Sequence, residues 1–256
     1  MIGNYLSPSF GIAWRYLHNL YTNPAIFLPS LLFPLFFLAA FAGGLSAVGD
    51  TPGFNYYDFT AFEFCFVLLQ ASALAGVFAG FSIASDFERG LGKRMMLAIG
   101  HRSSIVVGYA IGAAARLGLT WVVITGVALL GGMSISGSGL NLVGMYSLGL
   151  LVNVAALLFA SGIALRFRSL QAGPLMQMPV FILLFLAPVY VPQELLSGWI
   201  KPAASVNPIT SLLDAARSLM AGEPTGILAA YAVAFGMIAV MAVWSITGLR
   251  KAEVAG

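Results

Sequence analysis

The chain has 256 residues, of which 60% are apolar and only 8% carry a charge. Soluble domains carry about 25% charged residues, so so small a polar reserve, with a mean hydropathy of +0.94, excludes an ordinary soluble domain. The net charge of +3 does not mark a nucleic-acid binder, because the basic residues cluster at the ends of long apolar runs.

The runs are long enough for helices to span a bilayer, and the sequence reads as an all-α membrane protein with six transmembrane helices. Residues 9–23 come first. Phe10, Ala13, Trp14, Leu17, Leu20 and Tyr21 gather on one side of a helix, and Gly11, Arg15, His18, Asn19 and Thr22 on the other. Such a helix is expected to lie in the interface plane, and Asn23-Pro24 ends it. The first span is residues 25–45, bent by Pro29 and Pro34. Ala40-Phe41-Ala42 resembles a signal-peptidase site, but the amphipathic helix ahead of it is too long for a leader's charged region.

An outer loop, residues 46–58, carries Asp50, Asp58 and a Pro52-Gly53 turn signal and no Lys or Arg. The second span, 59–84, holds Glu63 about one turn inside and Gly76 and Gly80 in the spacing that lets helix backbones approach. Its Cys65 is the only cysteine, which leaves no disulfide framework. Residues 85–102 are the one dense run of charge, with four of the twelve Lys/Arg. Read as one amphipathic helix, it places Phe87, Leu91 and Met95 on a stripe and Asp86, Arg89 and Lys93 opposite. That is a surface helix placed to receive force from a soluble partner, or else a basic loop that only fixes topology.

The third span, 105–130, carries Gly108, Gly112 and Arg116. An uncharged loop at 131–141 leads to the fourth, 142–165, which ends at Arg166 and Arg168. The fifth, 172–191, contains Pro174, Pro179 and Pro188 and is expected to kink. Residues 192–225 are too polar to span. Within them Asn207 reads as a helix cap, Pro208 as the first helical residue and Gly222 as the stop, a hairpin dipping into the outer leaflet. The sixth span is 226–249, followed by Arg250-Lys251. Nine Lys/Arg fall on the side of the termini and two on the other, with Arg116 inside a span. Both termini are therefore expected in the cytoplasm.

The chemistry of other function classes is missing. Gly90-Leu-Gly-Lys93 is no phosphate-binding loop, since Phe87 stands at the first glycine position and Arg94 replaces the hydroxyl residue. His18 and His101 have no partner at metal-ligand spacing, so no metal is expected. No nucleophile elbow supports an enzyme or assembly factor, and no repeat between halves supports a secondary carrier. Glu63 and Arg116, on adjacent spans, each cost about 3 kcal/mol in lipid. They read either as a structural ion pair or as the polar lining of a path.

Over its full length the chain resembles the integral-membrane subunit of type-2 ABC export permeases, nearest to daunorubicin-resistance-like bacterial permeases. The cytoplasmic stretch carries Glu88, Gly90, Met95-Met96, Arg102 and Gly108 of that pattern, and the outer segment carries Asn207-Pro208, Arg217 and Gly222. It departs at Lys93, where a second acid is usual, and at Ile99-Gly100, where a proline is usual. The resemblance implies one transmembrane domain over residues 1–256 in the bacterial inner membrane. It makes 85–102 the coupling helix, with Asp86, Glu88, Arg89, Gly90, Lys93 and Arg102, and 9–23 the connecting helix, with Trp14, Arg15 and His18. It also implies two ATPase subunits that bind ATP and Mg²⁺ (no cofactor in this chain), a second permease copy or homologue, and an amphipathic substrate. The second and fifth spans would line the path between protomers. A glycan-exporting permease is the alternative within transport.

Overall fold

A computed structural model describes residues 2–52, 54, 56 and 58–254, without the side chains of residues 2–5, 24–27, 29 and 254. Gly53 of the expected outer turn lies outside the described residues. The described chain contains ten α-helices and no strand. They are α1 (Ile2–Thr22), α2 (Pro24–Gly44), α3 (Phe59–Glu88), α4 (Leu91–Ala98), α5 (Ser103–Leu130), α6 (Gly139–Phe167), α7 (Gly173–Phe185), α8 (Ile200–Val206), α9 (Pro208–Ala221) and α10 (Ile227–Val254). Among the described residues α3, α5, α6 and α10 are long and apolar enough to cross a membrane.

The hub is α3, packed by α2, α5, α6 and α9. Its small residues set the closest approach. A Cβ on Gly76 would stand 2.7 Å from the Leu157 amide nitrogen, and one on Gly80 would run into Ala160, so the α3 and α6 backbones touch. The same device joins α6 to α10, where a Cβ on Gly248 would lie 2.9 Å from the Gly162 carbonyl. One consequence corrects an expectation. The apolar window of α3 is 89% buried within a single chain, against 11% for α10. The second span therefore does not line a path between protomers in this conformation.

The N-terminal helix also differs from expectation. Ser9 Oγ donates to the Ser104 carbonyl at 3.0 Å, Ile12 fills the space over Gly108, and Tyr16 that over Gly112. Contacts thus advance together along both helices, and α1 runs alongside the first half of α5 over about two turns. A helix lying in the membrane plane would cross a spanning α5 at one turn. Its buried face is Ser9, Ile12, Ala13, Tyr16 and Leu20, whereas Phe10, Trp14 and Tyr21 are exposed. The wheel found the amphipathic helix but misjudged which face the bundle takes, because Tyr16 and Ser9 bury on hydrogen-bond partners rather than on apolarity.

Residues 85–102 are not one helix. The second-span helix continues to Glu88, Gly90 turns the chain at φ 80°, and α4 follows as two turns. Left-handed backbone at that position suits glycine. Gly92 is equally constrained, because its Cβ would stand 2.6 Å from the Phe87 ring, over which α4 folds back. Phe87 and Met96 are buried and Leu91 and Met95 half-buried.

The fifth expected span is helical only over the thirteen residues of α7. Pro188, lacking an amide hydrogen, cannot extend it, and Ala187 and Val189 close tight turns instead. In 192–225 local chemistry prevails as read. Asn207 Oδ1 accepts from the Ile209 amide at 3.0 Å, Pro208 opens α9, and Gly222 at φ 84° ends it.

Candidate functional site

At one end of the bundle, Asp86 sits in the last turn of α3 and is buried. It accepts hydrogen bonds from the Arg15 guanidinium, one of them at 3.1 Å, and from the Tyr109 hydroxyl. Arg15 also donates to Tyr109 Oη at 2.8 Å. The cluster ties α1, α3 and α5 together, and each charge-assisted bond is stronger than a neutral one. Burial alone would pull the Arg15 guanidinium down, but the hydrogen bond and charge of Asp86, with Tyr109, outweigh it and hold it above its ordinary value. Asp86 therefore does not stand on a water-facing side, as a single helix over 85–102 would require.

Two residues along, Glu88 accepts from the Leu170 backbone amide at 2.9 Å. Arg102 pairs with Glu253 of α10 at 3.2 Å, and Arg168 donates to the Ala252 carbonyl at 2.8 Å. These links fasten both ends of 85–102 to the segment after α6 and to the end of α10. Between the fastenings Arg89, Lys93, Arg94 and Leu97 are exposed, Leu97 by 86%. Trp14 and His18 are exposed on α1 and are not brought into the cluster.

Arg116 lies deeper along α5 and is 1% exposed. Its Nη1 donates to Tyr16 Oη at 3.0 Å and its guanidinium carbon lies 5.0 Å from the centre of the Phe78 ring. Glu63 is fully buried at the other end of α3, and its carboxyl oxygens find no hydrogen-bond partner among the described residues. The two form no ion pair, which corrects the first reading of them. They are 53 positions apart on antiparallel spans and fall at different depths.

At the end of the bundle where α3 begins, Arg217, also 1% exposed, spends its fork on three backbone carbonyls. Nε reaches Phe62 O at 3.3 Å, Nη1 Pro188 O at 2.8 Å and Nη2 Val189 O at 2.9 Å, and the guanidinium stacks on Phe62. Asn207 Nδ2 adds a bond to Leu183 O at 2.6 Å. Asn207 and Arg217 thus satisfy the Leu183, Pro188 and Val189 carbonyls around the break in α7, as buried non-helical backbone requires. Gly222 packs on the Ser136 carbonyl, where a Cβ would stand at 2.9 Å.

Several site residues carried no sequence signal. Tyr16, Tyr109 and Glu253 are ordinary residues until folding brings them to Arg116, Asp86 and Arg102. Asp58 could have been found, since an acid directly before an apolar run is a cap signature. It caps α3 through Thr60 N at 2.8 Å and also accepts from Ser134 N at 2.6 Å, joining two loops.

Residues 10–221 match the ABC-2 type transporter family. No individual curated protein matches the chain. The family match covers well over half of the chain and agrees with an all-helical structure holding several spans' worth of apolar helix. The chain belongs to the ABC-2 type transporter family, as a multi-pass, non-catalytic membrane permease domain of the kind that generally pairs with separate, nucleotide-binding ABC ATPase subunits.

Proposed function

We propose that this chain is the membrane-spanning half of a bacterial inner-membrane exporter of the daunorubicin-resistance-like kind, driven by two copies of an ABC ATPase. In this reading α2 and the broken α7 join the four long helices to make six spans, and both termini are cytoplasmic. The Lys/Arg asymmetry supports the orientation, and the 21 residues of α2 suffice for the hydrocarbon core. A second permease copy or homologue completes the path. ATP and Mg²⁺ belong to the ATPase.

The observation that carries the proposal is the mounting of α4. Its exposed cations, Lys93 and Arg94, project between fastenings at Asp86, Glu88 and Arg102 that lock it to α1, α5, α10 and the segment after α6. A push on α4 is thereby passed to the spans, which is what a coupling element needs. Charges on such a surface set register and specificity more than raw affinity. The connecting role belongs to α1, through Arg15 on Asp86. The substrate is a hydrophobic or amphipathic compound. Support comes from α7, whose Leu175, Met178 and Ile182 are more than half exposed and apolar. A wide glycan channel would call for polar and aromatic lining there.

The test is export by cells expressing the permease with its ATPase, comparing wild type with Lys93→Glu/Arg94→Glu. Export and co-purification of the ATPase should be lost while the permease's melting temperature holds. Export at the wild-type rate would reduce the segment to a topology signal.

A further inference from the structure

A cavity of about 390 Å³ opens between α1, α3 and α5 at the Asp86 end of the bundle. Three guanidinium groups line it, those of Arg15, Arg89 and Arg116, against one carboxylate, Asp86, which Arg15 already engages. Arg116 is the telling member. It is 1% exposed, one of its terminal nitrogens bonds Tyr16, and the other, Nη2, has no hydrogen-bond partner. A buried cationic donor left unpaired is costly, and the residue that carries it lines a cavity with room for a ligand.

We propose that this cavity binds a phosphate-bearing anion, with Arg116 at its floor and Arg89 at its mouth. A planar guanidinium offers paired donors that match phosphate oxygens. Phe78 and Leu20 make another part of the wall apolar. Arg116 lies thirteen residues beyond the start of α5, about 20 Å along it. A polar floor beside an apolar wall suits the headgroup of an anionic phospholipid drawn in from the interface, and free phosphate shares the same anchoring chemistry. The inference goes beyond export and does not depend on it, because the cavity can fill whether or not α4 engages an ATPase.

The experiment titrates the detergent-solubilised full-length protein with dioleoyl phosphatidylglycerol, dioleoyl phosphatidylcholine or inorganic phosphate and reads occupancy by native mass spectrometry. Phosphatidylglycerol should bind about tenfold tighter than phosphatidylcholine, whose phosphodiester comes with a choline cation that Arg15, Arg89 and Arg116 repel. Arg116→Gln and Arg89→Glu should each abolish that preference, and Lys93→Glu/Arg94→Glu, outside the cavity, should keep it. Arg89 is exposed, so its variant remains informative if the buried Arg116 variant does not fold. Binding of inorganic phosphate that is lost in the same variants supports the site and identifies free phosphate as its occupant. Equal binding of the two lipids without phosphate binding, or a preference that survives Arg89→Glu, overturns the proposal.

Discussion

The Glu88 carboxylate accepts a hydrogen bond at 2.9 Å from the amide of Leu170, 82 residues away, and so fastens the end of α3 to the segment leading into α7. A charge reversal there does two things at once: it alters the surface beside α4 and it places a cation against an amide donor. Glu88→Gln keeps an acceptor oxygen and should leave melting temperature and export close to wild type. Glu88→Lys should lower stability by about 1 kcal/mol and lower export as well. Thermal melting of both variants, beside an export assay, checks this. A Gln variant as damaged as the Lys variant would mean that the charge, not the hydrogen bond, is what matters.

The difference between what was legible and what was not follows the range of the interactions. Asn207, Pro208 and Gly222 act within a few residues of themselves, so capping chemistry reads directly from sequence. Gly76 and Gly80 announce a close helix contact, though not that its partner is α6 of the same chain. The cluster of Arg15, Asp86 and Tyr109 joins positions 71, 94 and 23 residues apart, which no periodicity reports. A single helix over 85–102 puts Asp86 on a wet face, whereas Asp86 belongs to the last turn of α3. The left-handed Gly90 rotates everything after it out of that wheel.

Because Glu63 and Arg116 form no pair, their contributions should be independent. Glu63→Gln and Arg116→Gln should each shift stability, and the double variant should show the sum to within about 0.5 kcal/mol. Melting temperatures of the four proteins in one detergent measure the coupling. A double variant clearly more stable than the sum would show that the two charges do meet.

The α3–α6 contact predicts a sharp asymmetry between glycines. Gly76→Ala would push a methyl group into the backbone of α6 at Asn153 and Leu157, and overpacking of this kind costs about 1–3 kcal/mol. Gly118→Ala, in α5, meets nothing within 4 Å and should be neutral or stabilising, since alanine favours helix over glycine. Size-exclusion profiles and melting temperatures of the two variants, made side by side, decide it. Equal tolerance would show that α3 and α6 are not in backbone contact.

Arg217 is the residue on which its end of the bundle most depends. Its fork satisfies the carbonyls of Phe62, Pro188 and Val189 while its plane lies 3.3 Å from the centre of the Phe62 ring. Arg217→Ala orphans the Pro188 and Val189 carbonyls in a buried setting, and at about 1–3 kcal/mol for each unsatisfied group the loss should exceed any other single truncation considered above. Arg217→Lys restores charge but not the planar fork, so it should recover only part of that loss. Asn207→Ala, which removes one cap and one bond to Leu183, should fall between wild type and Arg217→Ala. The measurement is the yield of monodisperse protein and its melting temperature for the three variants. If Arg217→Ala melts with wild type, the carbonyls at the break in α7 find other partners and the motif is not a clamp.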